Sequence, residues 1–162
     1  MKKLTLIIFL ITLSYGEILT LKDVKKRIKN IKIHQKNYHI TQKRVSSGSA
    51  DGVVKFFKDK KGRVRKLVVE IEHDDGTKEF GKYLYSKNAK LLFSSIKTKK
   101  GKCVVRVKNF FGNDGARLIL LERKRKESRG CEKISKEEVV SFPYLPKKLK
   151  NPNKISKIVR EL

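Results

Sequence analysis

Turn-forming positions recur along the chain at nearly constant spacing. Gly62, Gly76, Asn88, Gly101, Gly115 and Gly130 follow one another at intervals of 14, 12, 13, 14 and 15 residues. Between them lie runs of strand length rich in β-branched and aromatic residues, such as Arg63-Val-Arg-Lys-Leu-Val-Val-Glu-Ile-Glu-His73 and Lys102-Cys-Val-Val-Arg-Val-Lys108. Successive strands joined by short turns pair with their chain neighbours, so the spacing predicts an antiparallel meander. Six strands are expected. They are Val53 to Lys58, a run centred on Leu67, Val69 and Ile71, Thr77 to Tyr85, Lys90 to Lys97, Lys102 to about Phe111, and Arg117 to Lys124. Gly62 follows Asp59-Lys-Lys, where a turn calls for positive φ. Asp74-Asp75-Gly76 suits a two-residue type I′ hairpin.

Ahead of the meander, Leu19 to about Lys36 reads as an amphipathic helix. Thr20 stands as N-cap, Asp23 sits at N3 to favour the helix dipole, and Leu21, Val24, Ile28 and Ile31 fall on one stripe. Its remaining positions are mostly lysine. A helix packed on the sheet with its lysines in water accounts for this pattern, and so does a basic helix on a membrane surface or nucleic acid. Asn37 to Val45 reads either as a short strand or as a helix extension, and Ser46-Ser-Gly-Ser49 as a loop. Beyond Cys131, Ser135-Lys-Glu-Glu138 has capping-box spacing, and Lys147 to Leu162 forms a basic tail with room for a short helix. The expected fold class is α+β: an N-terminal amphipathic helix packed on a six-stranded antiparallel meander, with a short C-terminal helical tail. The chain divides into a targeting segment over 1–16, one domain over 17–146 and the tail over 147–162.

The targeting segment has the order of a secretory signal peptide. Met1-Lys2-Lys3 is basic, Leu4 to Leu13 is apolar except for Thr5 and Thr12, and Ser14 and Gly16 set small residues before cleavage at Gly16. The apolar run is too short to cross a bilayer well, which takes about 20 residues. An exported protein, periplasmic or secreted, is therefore expected. In an oxidising compartment Cys103 and Cys131 are most simply a disulfide, with two buried thiols or a metal site as the alternatives.

The segment Ser47-Gly-Ser-Ala-Asp-Gly52, the run Val53 to Phe57, Lys61-Gly-Arg-Val-Arg-Lys-Leu-Val-Val-Glu70 and Lys82-Tyr-Leu-Tyr85 together resemble a group of small exported bacterial proteins of unknown function. The shared order is signal peptide, basic amphipathic helix, Ser/Gly loop and β-hairpins, and it covers roughly Leu19 to Ser95. The chain departs from that group in its basicity and its cysteine pair. The resemblance implies fold and export, and it carries over no functional residue.

Residue chemistry excludes more than it includes. His34, His39 and His73 lack metal-ligand spacing with one another, with cysteines or with paired carboxylates. No Gly-rich phosphate loop and no nucleophile elbow is present. Glu70 and Glu72 are explained by cross-strand lysines. No catalytic residue, cofactor or metal is expected. Charge is the positive signal: 42 Lys and Arg stand against 16 Asp and Glu, a net +26. Lys97, Lys99, Lys100 and Lys102 surround one turn, and Arg123, Lys124, Arg125, Lys126 and Arg129 surround the turn after next. In an ordered meander both clusters reach the same end of the sheet. They form a candidate anion-binding patch for a polyanion: lipopolysaccharide, anionic lipid, cell-wall polymer or nucleic acid, or else an acidic protein. A non-enzymatic binding module of this kind is the expected function. The alternative is a structural or protein-interaction module of the cell envelope whose charge is incidental.

Overall fold

The computed structural model describes residues 19–114, 117–128 and 131. The expected signal peptide, the capping box at Ser135 and the basic tail lie outside the described residues, as do Gly115, Arg129 and Gly130.

One helix leads into one sheet, an α+β arrangement. Helix α1 spans Leu21–His34 and continues as a single 3-10 turn, Gln35–Asn37. Its start is a capping box: the Asp23 amide donates to Thr20 Oγ1 at 3.2 Å, and the Thr20 amide donates to Asp23 Oδ2 at 3.1 Å. Hydrogen bonds donated to Asp23 Oδ2 by the Thr20 hydroxyl, and then by the Thr20 amide, hold the Asp23 carboxyl below its ordinary range. Val24, Ile28 and Ile31 are buried together with Leu19, in one cluster with Leu84, Leu92 and Phe93 of the sheet. Leu21, placed on the same stripe by its spacing, is only half-buried, and Leu19 takes its share of the core.

Among the described residues seven strands follow, not six. They are β1 His39–Ser47, β2 Ala50–Lys58, β3 Val64–His73, β4 Lys78–Tyr85, β5 Leu91–Lys100, β6 Cys103–Asp114 and β7 Arg117–Glu127. They form one antiparallel sheet in chain order. The extra strand is β1, drawn from the ambiguous stretch before the Ser/Gly cluster. Ser47 pairs with Ala50, so the expected loop contracts to a tight turn at Gly48 and Ser49. Gly52 keeps β1 and β3 close around β2: a Cβ there would lie 2.5 Å from the Glu70 carbonyl oxygen.

Three hairpins share one turn geometry, which at Asp74-Asp75-Gly76 replaces the expected type I′ turn. At 59–63, 73–77 and 86–90 the first residue accepts a backbone hydrogen bond from the residue three ahead and donates to the residue four ahead. The residue three ahead is left-handed: Gly62 at φ +73°, Gly76 at φ +75° and, in the third hairpin, Ala89 at φ 57°. A type I turn followed by a left-handed residue fits this pattern, because only one residue then needs positive φ.

One side of the sheet carries a core of Val54, Leu67, Val69, Tyr83, Tyr85 and Leu91, each almost fully buried. α1 packs on the other side, near one end, through Leu84, Leu92 and Phe93. A disulfide joins Cys103 at the start of β6 to Cys131, past the end of β7, with Cα atoms 4.9 Å apart. Next to it, Ser128 exchanges two hydrogen bonds with Val104, at 2.9 and 3.0 Å.

Candidate functional site

Cross-strand partners share a face, so the pairing register shows which basic residues stand together. One row crosses all seven strands on the α1 side: Arg44, Val53, Glu70, Phe80, Lys97, Arg106 and Lys126. Two residues nearer α1, a parallel row ends in Lys82, Ser95, Lys108 and Lys124. On the far side, a third row ends in Lys78, Lys99 and Val104. Neighbouring strands are about 4.8 Å apart. Lys97, Arg106 and Lys126 therefore stand abreast, each facing another cation across the β5–β6 and β6–β7 pairings.

Local sequence sets this face. In β6, Val105 and Val107 are buried on the reverse side, so Arg106 and Lys108 alternate outward and are exposed. In β5, Ile96 and Thr98 are buried, which leaves Lys97 and Lys99 on the α1 side. Lys97, Lys99, Arg106, Lys108 and Lys126 make no ion pair among the described residues. Glu122 supplies negative charge at this edge, bridging Lys124 at 3.1 Å and Lys25 of α1 at 3.5 Å. The lysine neighbours hold its carboxyl below the ordinary range, Lys124 most strongly.

The expected anion-binding residues therefore separate. Lys97, Lys99, Lys124 and Lys126 lie on one face. Arg123 and Arg125 alternate to the reverse, where Arg123 donates to Asn109 Oδ1 at 3.1 Å and Arg125 pairs with Glu127. Lys100 pairs with Asp75 of the adjacent hairpin at 2.9 Å. Lys102 is exposed at the β5–β6 turn. Arg129 lies outside the described residues. Arg106, Lys108, Lys78 and Lys82 join the face instead. Strand alternation around Val105 and Val107 is the sequence signal for Arg106 and Lys108.

Where α1 ends over the sheet, cations become crowded and partly dry. Lys66 donates to Gln35 Oε1 at 2.9 Å and lies 4.1 Å over the Phe57 ring. Burial, reinforced by the Lys82 charge, pushes its ammonium down to about 8. Lys82 is lowered by burial and by Lys32 of α1. The β2–β4 part of the same face is balanced: Glu70 meets Lys55 at 3.1 Å, and Glu72 meets Lys78 at 2.8 Å. Across these strands an open groove of about 940 Å³ spans β1 to β5, with Val53 and Phe80 among its lining.

On the reverse face His73 meets Glu79 at 3.6 Å, and burial raises the Glu79 carboxyl. No group of three or more His, Cys, Asp or Glu is placed to hold a metal ion among the described residues. Likewise, no described helix is long and apolar enough to cross a membrane. Comparison with known protein families, with curated proteins and with solved structures finds no match.

Proposed function

We propose that the chain is an exported binding module that holds a polyanion on the α1 side of β4–β7. One observation carries this reading: the registered rows of Lys97, Arg106 and Lys126 beside Lys108 and Lys124, with Glu122 as the acidic neighbour at that edge. Like charges directly opposite one another on a sheet destabilise it by a few tenths of a kcal/mol to about 1 kcal/mol per pair. A bound row of phosphates, sulfates or carboxylates neutralises that repulsion and releases its own counterions, so affinity depends on salt. The disulfide and the leading signal-like segment support placement in an oxidising compartment outside the cytoplasm.

Retention on heparin across a salt gradient tests this. The fourfold variant R106Q/K108Q/K124Q/K126Q is expected to elute far earlier than the parent, close to a control protein of equal isoelectric point. The pair R123Q/R125Q, on the reverse face, should elute nearly with the parent. Equal shifts for both variants, scaled only by the charge removed, would leave the +26 as a general surface property. An envelope protein-interaction role would then be the better reading.

A further inference from the structure

We infer that the groove beside the cationic rows receives the hydrocarbon chain of an anionic amphiphile, whose head group rests on Lys97 and Lys99. The head-group half of this inference rests on the polyanion reading above. The chain half rests on the groove. Its volume of about 940 Å³ is in the range of sites for ligands of drug size. Val53 and Phe80 are its apolar residues on the central row, and Phe80 is 40% exposed. The stems of the charged residues around them add carbon to the walls, so the surface offered is mostly apolar. Among the described residues Phe80 is the one aromatic side chain exposed to this degree.

Charge decides which amphiphile fits. On this face the acids at the groove have partners, Glu70 with Lys55 and Glu72 with Lys78, while Glu79 stands on the reverse face beside His73. What remains is Lys97, Lys99 and Arg44 against Asp51. The excess is positive and concentrates on β5, where it joins Arg106 and Lys126. An uncharged chain would leave these lysines unneutralised. A single-stranded nucleic acid would call for several stacking rings, and these rows expose one, Phe80. A phosphate or sulfate head group with an alkyl tail satisfies both the rim and the floor.

The test is calorimetric titration of the purified full chain with octyl, decyl and dodecyl phosphate below their micelle concentrations. Inorganic phosphate and dodecyl maltoside serve as head-only and chain-only controls. Affinity is expected to rise about fourfold per added methylene until the groove is filled, and dodecyl phosphate should bind more tightly than dodecyl maltoside. Phe80→Ser should weaken the chain-length dependence and leave heparin elution unchanged. K97Q/K99Q should remove the phosphate preference and keep the chain-length dependence, with circular dichroism showing that both variants fold. Dodecyl phosphate binding no better than inorganic phosphate would overturn the inference, even if the heparin result stands. Chain-length dependence in a protein that elutes from heparin with the control would keep the groove and remove the polyanion reading. Tight binding of a single-stranded oligonucleotide, undisturbed by dodecyl phosphate and by Phe80→Ser, would assign the face to nucleic acid and overturn the inference.

Discussion

The two halves of one sheet face treat charge in opposite ways. On β2–β4 the acids and bases alternate and meet: Lys55 with Glu70, Lys78 with Glu72, and Val53 and Phe80 between them. On β5–β7 the same row continues as Lys97, Arg106 and Lys126, three cations abreast. Both halves belong to the same lysine-rich chain, so composition alone does not explain the difference. The difference lies in where the acids are placed. The reverse face of β7 makes the same point, because Arg125 has Glu127 and Arg123 has Asn109. The unbalanced half is therefore a local feature of the α1 side, and the self-repulsion it carries is what a polyanion would relieve.

The largest expected effect concerns how that half is held together. The disulfide ties the chain beyond β7 back to the start of β6, with its cysteines 28 positions apart. Replacing Cys103 and Cys131 by Ser should lower stability by roughly 3–4 kcal/mol in urea unfolding. If repulsion between β6 and β7 is part of what the bond opposes, raising the salt concentration should recover more stability in this variant than in the parent, because exposed charges are screened. Equal salt responses would separate the disulfide from the charge imbalance.

A smaller effect tests the imbalance directly. Lys126→Glu places a carboxylate opposite Arg106. It should raise stability by about 0.5–1 kcal/mol in the thermal transition while weakening heparin binding. A fall in both stability and heparin binding would mean that Lys126 has a packing role and that its charge is not in tension with the fold.

A pH dependence is expected on β3, where Lys66 lies under the end of α1. Lys66 titrates at about 8 in the folded chain, below the ordinary lysine value of about 10.4. Between those values the unfolded chain holds a proton that the folded chain has released. Stability contributed at this site is therefore least below pH 8 and rises as pH increases through that window. Lys66→Met should flatten the rise between about pH 8 and pH 10 in urea midpoints. An unchanged slope would show that Lys66 is not the group responsible.

Much of this fold was legible before the structure. The helix start was visible in Thr20 and Asp23, and Gly62, Gly76 and Gly101 each stand at a positive φ between strands. β1 was harder to read because its two large apolar residues, Ile40 and Val45, fall on opposite faces, and no Gly or Pro separates the stretch from the helix. Asn88 marked the β4–β5 turn, yet Ala89 takes the left-handed conformation, since the register of the hairpin decides which residue must. The site was legible by halves. Four consecutive basic residues, Arg123 to Lys126, read as one cluster, but a strand sends alternate side chains to opposite faces. Arg106 and Lys108 were visible in alternation with Val105 and Val107. Their alignment with Lys126 and Lys124 depends on pairing register, which side-chain pattern alone leaves open.

In the proposed reading the α1 side of β5–β7 binds anions and the reverse side of β7 does not. The most direct test is the salt slope of binding to a labelled heparin oligosaccharide, measured for the parent, R106Q/K126Q and R123Q/R125Q. Each double variant removes the same charge, so net charge cancels from the comparison between them. Anion binding confined to the α1 side predicts that R106Q/K126Q lowers the slope by about two, roughly one for each anionic group no longer neutralised, and that R123Q/R125Q leaves it near the parent value. Identical slopes for the two variants would contradict it.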